Sequence, residues 1–456
     1  MRRIMSIIAP VFFFCALSLG LNCFAEPSYK TESEVSYQEF LIEEADLPDM
    51  IQCPDMSDPA SWDDEELLQF DEWWKAKAER QEIDIPNMEQ IQDFFRVSTR
   101  EFATDDGQSN FLYSPVSLWL CLHALSELTE GNSQAQIQRL IGEQSEEDRD
   151  AQIDAVFRSL YWEEDNAVCT PAISVWLDRN TNISEMLLKR LSEVIRSSVF
   201  QGTMGEKAFD DALRVWLNEQ TRGMLEDSVS GLRLSPNTGL CVCSTLYLKN
   251  NWNISFNKDN TSTDVFYSSA GEVTAEFMHS SRAGVVFCGE GFTAVSLDFQ
   301  DGGAVTFVLP DPDLSPEEVI DGDDVFRFLF SGKEWDECLY GKVNLSVPKM
   351  DCLTEISLRS MLEKMGVRDI FNPEKAQFSP EISSDSKLAV STLKQYARMT
   401  LDENGVEAAA ITVSFEGGLL RPPENEIDFL LNRPFLYAVM SEKGIPLLVG
   451  VYHLPE

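Results

Sequence analysis

The chain has 456 residues, 43% hydrophobic and 25% charged, proportions ordinary for a globular protein and enough for one large mixed domain or two to three smaller ones. Its charge balance is not ordinary: 36 Lys and Arg stand against 77 Asp and Glu, a net charge of −41. Such a surface repels phosphate backbones and anionic lipid, which argues against nucleic-acid or membrane binding and leaves a solvated acidic face, cationic partners or diffuse cation binding.

Residues 1–25 place Arg2 and Arg3 before an apolar run through Phe12, Phe13 and Phe14 to Leu21, and close on Cys23-Phe24-Ala25. This is the pattern of a cleaved secretory signal peptide with Ala25 at the cleavage position, and no other stretch is apolar for long enough to span a bilayer. Asn22 before Cys23 leaves a lipid-modified cysteine as an alternative. The mature chain is therefore expected to be exported, secreted or periplasmic, and soluble. Residues 26–86 form an acidic extension whose first part, through Pro54 and Asp58-Pro59, has the composition of a loosely structured segment. From Ser61 the pattern changes. Ser61 and Asp64 have capping-box spacing, and Leu67, Phe70, Trp74 and Ala78 recur at helical intervals. One amphipathic helix is expected there, packed on the main domain or a partner, since an isolated helix this short is marginal in water.

The main domain, residues 87–456, opens at Asn87, placed to cap a helix carrying Met88, Ile91, Phe94 and Phe95. Periodicity predicts further helices near 115–128, 133–141, 147–161, 183–197 and 207–224. Strands are expected at 173–177 and 240–248, then at 262–268, 274–279, 284–289, 292–298 and 304–309. Residues 343–349 alternate like a strand and 358–365 read as a helix. Strands concentrated after residue 240 predict an α+β fold rather than regular βαβ alternation.

Catalytic chemistry is sparse. Cys15 and Cys23 leave with the signal, and Cys53, Cys121, Cys169, Cys241, Cys243, Cys288, Cys338 and Cys352 show neither C-x-x-C nor metal-ligand spacing. They read as buried free thiols, although an oxidising compartment permits bridges. Ser391-Thr392-Leu393-Lys394 matches S-x-x-K, but so short a pattern arises by chance and no K-T-G follows. No G-x-S-x-G, Walker loop or H-E-x-x-H occurs. Of His123, His279 and His453, the first lies in an apolar helix and reads as a satisfied core residue. No enzyme, cofactor or metal site is expected.

The most informative stretch is 402–434. A polar turn, Asp402-Glu403-Asn404-Gly405, opens onto Val406-Glu407-Ala408-Ala409-Ala410-Ile411-Thr412-Val413, which is small, partly β-branched and lightly charged. It can be a strand buried in a sheet or an Ala-rich surface helix followed by a loop. Phe415 to Leu420 then reads as flexible, and Pro422-Pro423 stiffens the exit. As a strand, Val406, Ala408, Ala410, Thr412 and Ser414 share one small, uncharged face, while Glu407, Ala409, Ile411 and Val413 share a face open to solvent. Glu416 falls on the small face at the far end and opposes complete burial unless it lies at the rim.

Asp402 to Ala410 resembles the hinge of the reactive-centre loop of serpins, and Asn432-Arg433-Pro434-Phe435-Leu436 and Leu447-Leu448-Val449-Gly450-Val451 resemble that family's C-terminal signature. Asn110-Phe111-Leu112-Tyr113-Ser114-Pro115-Val116-Ser117, Gly131 to Ile137, Asn218 with Thr221-Arg222-Gly223, Leu246-Tyr247-Leu248-Lys249 with Trp252, and Leu362 to Phe371 are similar to further family motifs in the same order. The resemblance covers residues 88–456. It implies a serpin fold of about nine helices around three β-sheets, with an exposed reactive-centre loop near the C-terminus. It also implies a monomeric suicide-substrate inhibitor of a serine protease, with a cysteine protease as the alternative target, without cofactor. Family spacing puts the reactive bond at Leu419–Leu420, with Leu420, Glu416 and Phe415 as other positions for the cut, and Leu suits a chymotrypsin- or elastase-like target. The hinge residues are then Glu403, Gly405, Val406, Ala408, Ala409, Ala410 and Thr412. The sheet-opening region takes Ser114, Ser117 and Trp252, while Ser244 and Gln395 align where relatives carry an asparagine and a histidine. The alternative is a non-inhibitory relative that binds a ligand or assists folding.

Overall fold

A computed structural model describes residues 36–54, 62–103, 109–164, 167–236, 238–331, 335–384, 387–390, 393–406 and 425–455. The elements begin with β1 (Leu41–Glu43), α1 (Asp64–Glu82), α2 (Met88–Ala103), β2 (Phe111–Tyr113), α3 (Pro115–Leu128), α4 (Gly131–Ile141) and α5 (Glu146–Leu160). Next come β3 (Trp162–Glu164), β4 (Ala167–Asp178), β5 (Thr181–Ile183), α6 (Glu185–Glu193), β6 (Ser197–Gly202), α7 (Lys207–Gln220), α8 (Glu226–Val229) and β7 (Leu240–Asn251). They are followed by β8 (Thr261–Ser268), β9 (Gly271–Gly289), β10 (Phe292–Asp298), β11 (Ala304–Pro310), α9 (Pro316–Asp321), α10 (Asp324–Ser331), β12 (Cys338–Pro348) and β13 (Met350–Ser357). Last are α11 (Leu358–Lys364), β14 (Ile382–Ser384), β15 (Lys394–Leu401), β16 (Gly405–Val406), β17 (Glu426–Leu430), β18 (Phe435–Met440) and β19 (Pro446–Tyr452).

Three sheets hold these strands. The central one runs β1-β6-β4-β7-β16-β15-β13, with β3 on β4; the second runs β17-β12-β9-β10-β11-β18-β19-β2, with β8 on β9; the third is the β5–β14 pair. The architecture is the expected α+β one. Among the described residues there are eleven α-helices where about nine are implied, one of them (α1) in the extension and another (α8) a single turn.

Helix α3 explains where the core sits. Every residue of it except Glu127 is buried, as an all-round apolar helix requires. Pro115 occupies its first turn, where a missing amide hydrogen costs nothing, and the Ser114 hydroxyl accepts from the Ser117 amide at 3.3 Å. A second apolar cluster, with Trp176, Phe200, Phe209 and Trp216, fills the space between the other face of the central sheet and α7. The strands expected at 274–279 and 284–289 are one strand, β9, because β12 pairs with it continuously from Phe277 to Phe287.

The extension departs from expectation in three ways. Residues 37–43 are ordered, a single 3₁₀ turn leading into β1 at the sheet's edge. Tyr37 meets Phe200 edge-on at 5.9 Å and Phe40 lies 5.1 Å from Phe209, so two aromatic anchors outweigh the acidic composition. The cap of α1 is Asp63 with Glu66, each carboxylate accepting from the other's backbone amide, two residues beyond the expected pair; Ser61 lies outside the described residues. Finally, Leu67 and Trp74 are exposed, and α1 is held chiefly by charge. Lys77 Nζ donates to Glu164 at 2.6 Å and Asp301 at 3.2 Å, while Arg80 reaches Glu164 at 2.9 Å and stacks over Trp162. Burial raises the pKa of Asp301, and it opposes ionisation of Glu164 too, but Lys77 and Arg80 prevail there and hold Glu164 below its ordinary value. Asn87 likewise differs from its expected role: its side chain donates to Gln144 at 2.9 Å instead of capping α2.

Removing one member of a buried charge network strands the others, at a cost of about 3 kcal/mol. Glu164→Ala is therefore expected to release α1, lowering the urea midpoint and exposing Lys75 to Arg80 to trypsin. Unchanged denaturation and cleavage rates would show that α1 is held by something else.

Candidate functional site

The site is built where β15 turns back into the sheet. After Leu401, Asp402 Oδ1 accepts from the amides of Asn404 at 2.8 Å and Gly405 at 3.3 Å, an Asx turn that reverses the chain. The reversed chain becomes β16, antiparallel to both neighbours, with Val406 opposite Leu401 on β15 and Asn250 on β7, and Gly405 opposite Asn251. Gly405 is required by proximity: a Cβ there would lie 2.1 Å from the Asn250 carbonyl oxygen. Val406 is 1% exposed and joins the main core.

Trp252 holds this turn from below. Its indole donates to the Asp402 carbonyl at 2.9 Å, and its amide donates to the Asn404 carbonyl at 2.7 Å. Its ring stacks on Phe299 at 5.4 Å. Glu403 is buried beside it, accepting from the Thr261 hydroxyl at 2.7 Å with Lys349 Nζ at 3.6 Å. Burial pushes the Glu403 pKa up, but the Thr261 bond, a backbone amide, Lys349 and Lys258 outweigh it and hold the carboxyl below its ordinary value. Asn250, Asn251, Thr261 and Lys349 escaped the sequence reading. They touch the hinge only across long stretches of chain and carry no local motif.

The four residues of the expected sheet-opening cluster do meet. Gln395 Oε1 accepts from the Ser114 amide at 2.8 Å, and Gln395 Nε2 donates to the Ser114 carbonyl at 3.0 Å. Ser114 Oγ donates to Ser117 Oγ at 2.9 Å, and Ser244 Oγ donates to the Ser117 carbonyl at 3.0 Å. The start of α3 is thereby tied to both β15 and β7 through groups that are neutral across the physiological range. At high salt, which screens exposed charge, heat-induced polymerisation should vary little between about pH 5.5 and 7.5. Gln395→His should introduce a one-proton transition near about pH 6.5. A steep transition already present in the wild type would mean that another group controls opening.

Below β16 the central sheet is not closed. Among the described residues no ladder pairs β7 directly with β15, and the one further tie is the parallel bridge from Leu240 of β7 to Val390 in the segment before β15. Beneath α7, this cleft widens into a cavity of about 330 Å³ lined by residues of α7, β7 and β15.

Of the other predicted residues, Ala408, Ala409, Ala410, Thr412, Leu419 and Leu420 lie outside the described residues, as do Ser391, Thr392 and residues 1–25. Lys394 of the S-x-x-K match forms an ion pair with Glu355. His123 is buried but not satisfied: neither ring nitrogen has a hydrogen-bond partner, and the Trp119 ring stands 4.2 Å away. Cys121, Cys169, Cys241, Cys243, Cys288 and Cys338 are unbridged. No helix among the described residues is long and apolar enough to cross a membrane, and none of their His, Cys, Asp and Glu clusters could hold a metal.

A sequence profile described as "Serpin (serine protease inhibitor)" matches residues 89–455. Alpha-1-antiproteinase of Callosciurus caniceps is 25% identical over 378 residues, covering 80% of this chain and 87% of that one. The solved structure of the thermophilic serpin tengpin in its native state superposes with a TM-score of 0.73 at 22% identity, covering 81% of this chain and 95% of that one. Thyroxine-binding globulin in complex with thyroxine gives 0.69 at 22% identity, covering 81% and 99%. With a profile match across most of its length and a strand-lined cleft entered by its own hinge, this chain belongs to the serpin family.

Proposed function

We propose that this protein is an exported, monomeric inhibitor that traps a chymotrypsin- or elastase-like serine protease as a suicide substrate. The observation that carries the reading is β16: Gly405 and Val406 already lie between β7 and β15, at the head of an unpaired cleft. Continued in the same register, the chain would set Ala408 opposite Leu248, Ala410 opposite Leu246 and Thr412 opposite Ser244, all toward α3. Ile411 would fall opposite Thr245 and Tyr396, and Val413 opposite Cys243 and Lys394, toward α7. That face is the cavity under α7 rather than open solvent, and Glu407 would come beside Lys249. Glu416 would reach Leu240, the first residue of β7, which is fully buried, so its carboxylate opposes the last step of insertion.

In this mechanism the protease attacks Leu419 with its own nucleophile and is held as an acyl-enzyme. The freed strand inserts, and roughly fourteen residues at about 3.3 Å each carry the tethered protease roughly 45 Å before water completes hydrolysis. The serpin supplies strain and a bait sequence and no catalytic group of its own.

Incubation with chymotrypsin or pancreatic elastase should give a band on a denaturing gel at the summed mass. Leu419→Arg should shift that preference to trypsin, because the primary pocket discriminates by charge and shape. The released C-terminal fragment should begin at Leu420; one beginning at Gly417 moves the bond to Glu416. A second reading, a binding protein whose loop never inserts, draws on the exchange of the family's histidine for Gln395 and on the cavity itself. It requires cleavage without any stable complex.

A further inference from the structure

The cavity under α7 has features that a passage for a strand does not need. Its apolar walls are Leu213 and Leu217 of α7, Leu232 of the segment after α8, and Tyr396. Its floor is Cys241, Cys243 and Thr245, successive residues on one face of β7, with the two sulfurs 3.6 Å apart. Sulfur and aromatic rings make a polarizable surface that adapts to planar apolar molecules. Thr245 is 3% exposed, and its hydroxyl has no hydrogen-bond partner. A buried hydroxyl left in that state favours any occupant that can pair with it. The charged groups at the margin are already matched, Lys394 with Glu355 and Arg233 toward Asp210 at 3.9 Å, so nothing there selects an ion.

We propose that this cavity is a binding site for a small neutral amphipath, an aromatic or alicyclic body with one hydroxyl that pairs with Thr245. At about 330 Å³ the space is roughly twice that of a dry cavity known to hold benzene. It therefore suits a molecule of roughly 10 to 15 non-hydrogen atoms, packed no more densely than a protein interior. The site belongs to the uncleaved chain and does not depend on the inhibitory reading. Its consequence rests on the inhibitory reading: the occupant takes the space that Ile411 and Val413 would fill, so bound ligand and inserted strand exclude one another.

The test uses 2-naphthol, with naphthalene as the hydroxyl-free comparison. Calorimetric titration of the uncleaved full chain should show one saturable site for 2-naphthol. N-ethylmaleimide labelling of Cys241 and Cys243, followed by peptide mass spectrometry, should slow about tenfold at a probe concentration ten times Kd. Leu217→Trp fills the cavity and should abolish both effects. Thr245→Val should weaken 2-naphthol about fivefold, the worth of one neutral hydrogen bond, and leave naphthalene unchanged. Absence of saturable binding, labelling indifferent to the probe, or binding that survives Leu217→Trp in a folded protein overturns the site. Should Leu217→Trp not fold, equal 2-naphthol affinity in wild type and Thr245→Val overturns the assignment. Binding to the uncleaved chain reads the site alone, and its loss after loop cleavage reads the exclusion, so the two claims fail separately.

Discussion

A single cut between Ile411 and Leu420 should raise the melting temperature by on the order of 10 °C or more. Insertion adds a strand between β7 and β15, which among the described residues share a ladder partner only in β16. Some ten ladder hydrogen bonds at about 1 kcal/mol each contribute about 10 kcal/mol, before any gain from filling the cleft. For a domain near 370 residues, entropy scaling makes each kcal/mol worth about 1–2 °C. Ala408→Arg tests the same step from the other side. The register continued from Val406 puts this side chain opposite Leu248, facing α3, so insertion would bury a guanidinium at a cost of several kcal/mol. The uncut variant should melt like the wild type, since in the proposed mechanism residue 408 enters the sheet only on insertion. Once cut, it should show no gain in stability, and the target protease should process it as a substrate. An unchanged melting curve after a confirmed single cut in the wild type would end the inhibitory reading.

The second large effect is acid instability originating at His123. Burial, with Arg149 nearby, holds its pKa down to about 3, whereas the unfolded chain titrates at the ordinary 6.5. Above 6.5 both states are neutral and the residue adds no pH dependence. Below it only the unfolded state takes up the proton, so stability falls with pH by about 1.4 kcal/mol per unit until the folded ring also titrates. Carboxylates add their own slope, and the comparison with His123→Leu isolates this one. That variant removes two unpaired ring nitrogens at similar volume and should be no less stable at about pH 7.5. At about pH 4.5 it should exceed the wild type by about 2–3 kcal/mol more than at neutrality. Urea denaturation at the two pH values measures the difference. Parallel behaviour of the two proteins would mean that His123 is solvated or paired in solution.

Local chemistry made much of this protein legible in the sequence. Apolar residues on every side of 115–128 required a buried helix, alternation across 343–349 required a strand, and Asp402 to Gly405 announced a turn before a run of small residues. These signals depend on neighbours within a turn or two of chain, so a sequence carries them intact. Tertiary structure decided the features that depend on distant partners. Lys77 and Arg80 hold α1 only because Glu164 and Asp301 are brought beneath them, and Leu67 and Trp74, whose spacing promised an apolar contact, remain outside. Gly405 is indispensable because the Asn250 carbonyl stands where a Cβ would go. His123 has the composition of a satisfied core residue, yet the helices and strands around it offer no acceptor or donor. The cleft between β7 and β15 has no sequence signature at all, since it is a space defined by strands that pair with β16 at one end and part below it. Periodicity tells which face of an element seeks burial, but a hydrogen bond, an ion pair or a cavity exists only once the fold has chosen what lies opposite.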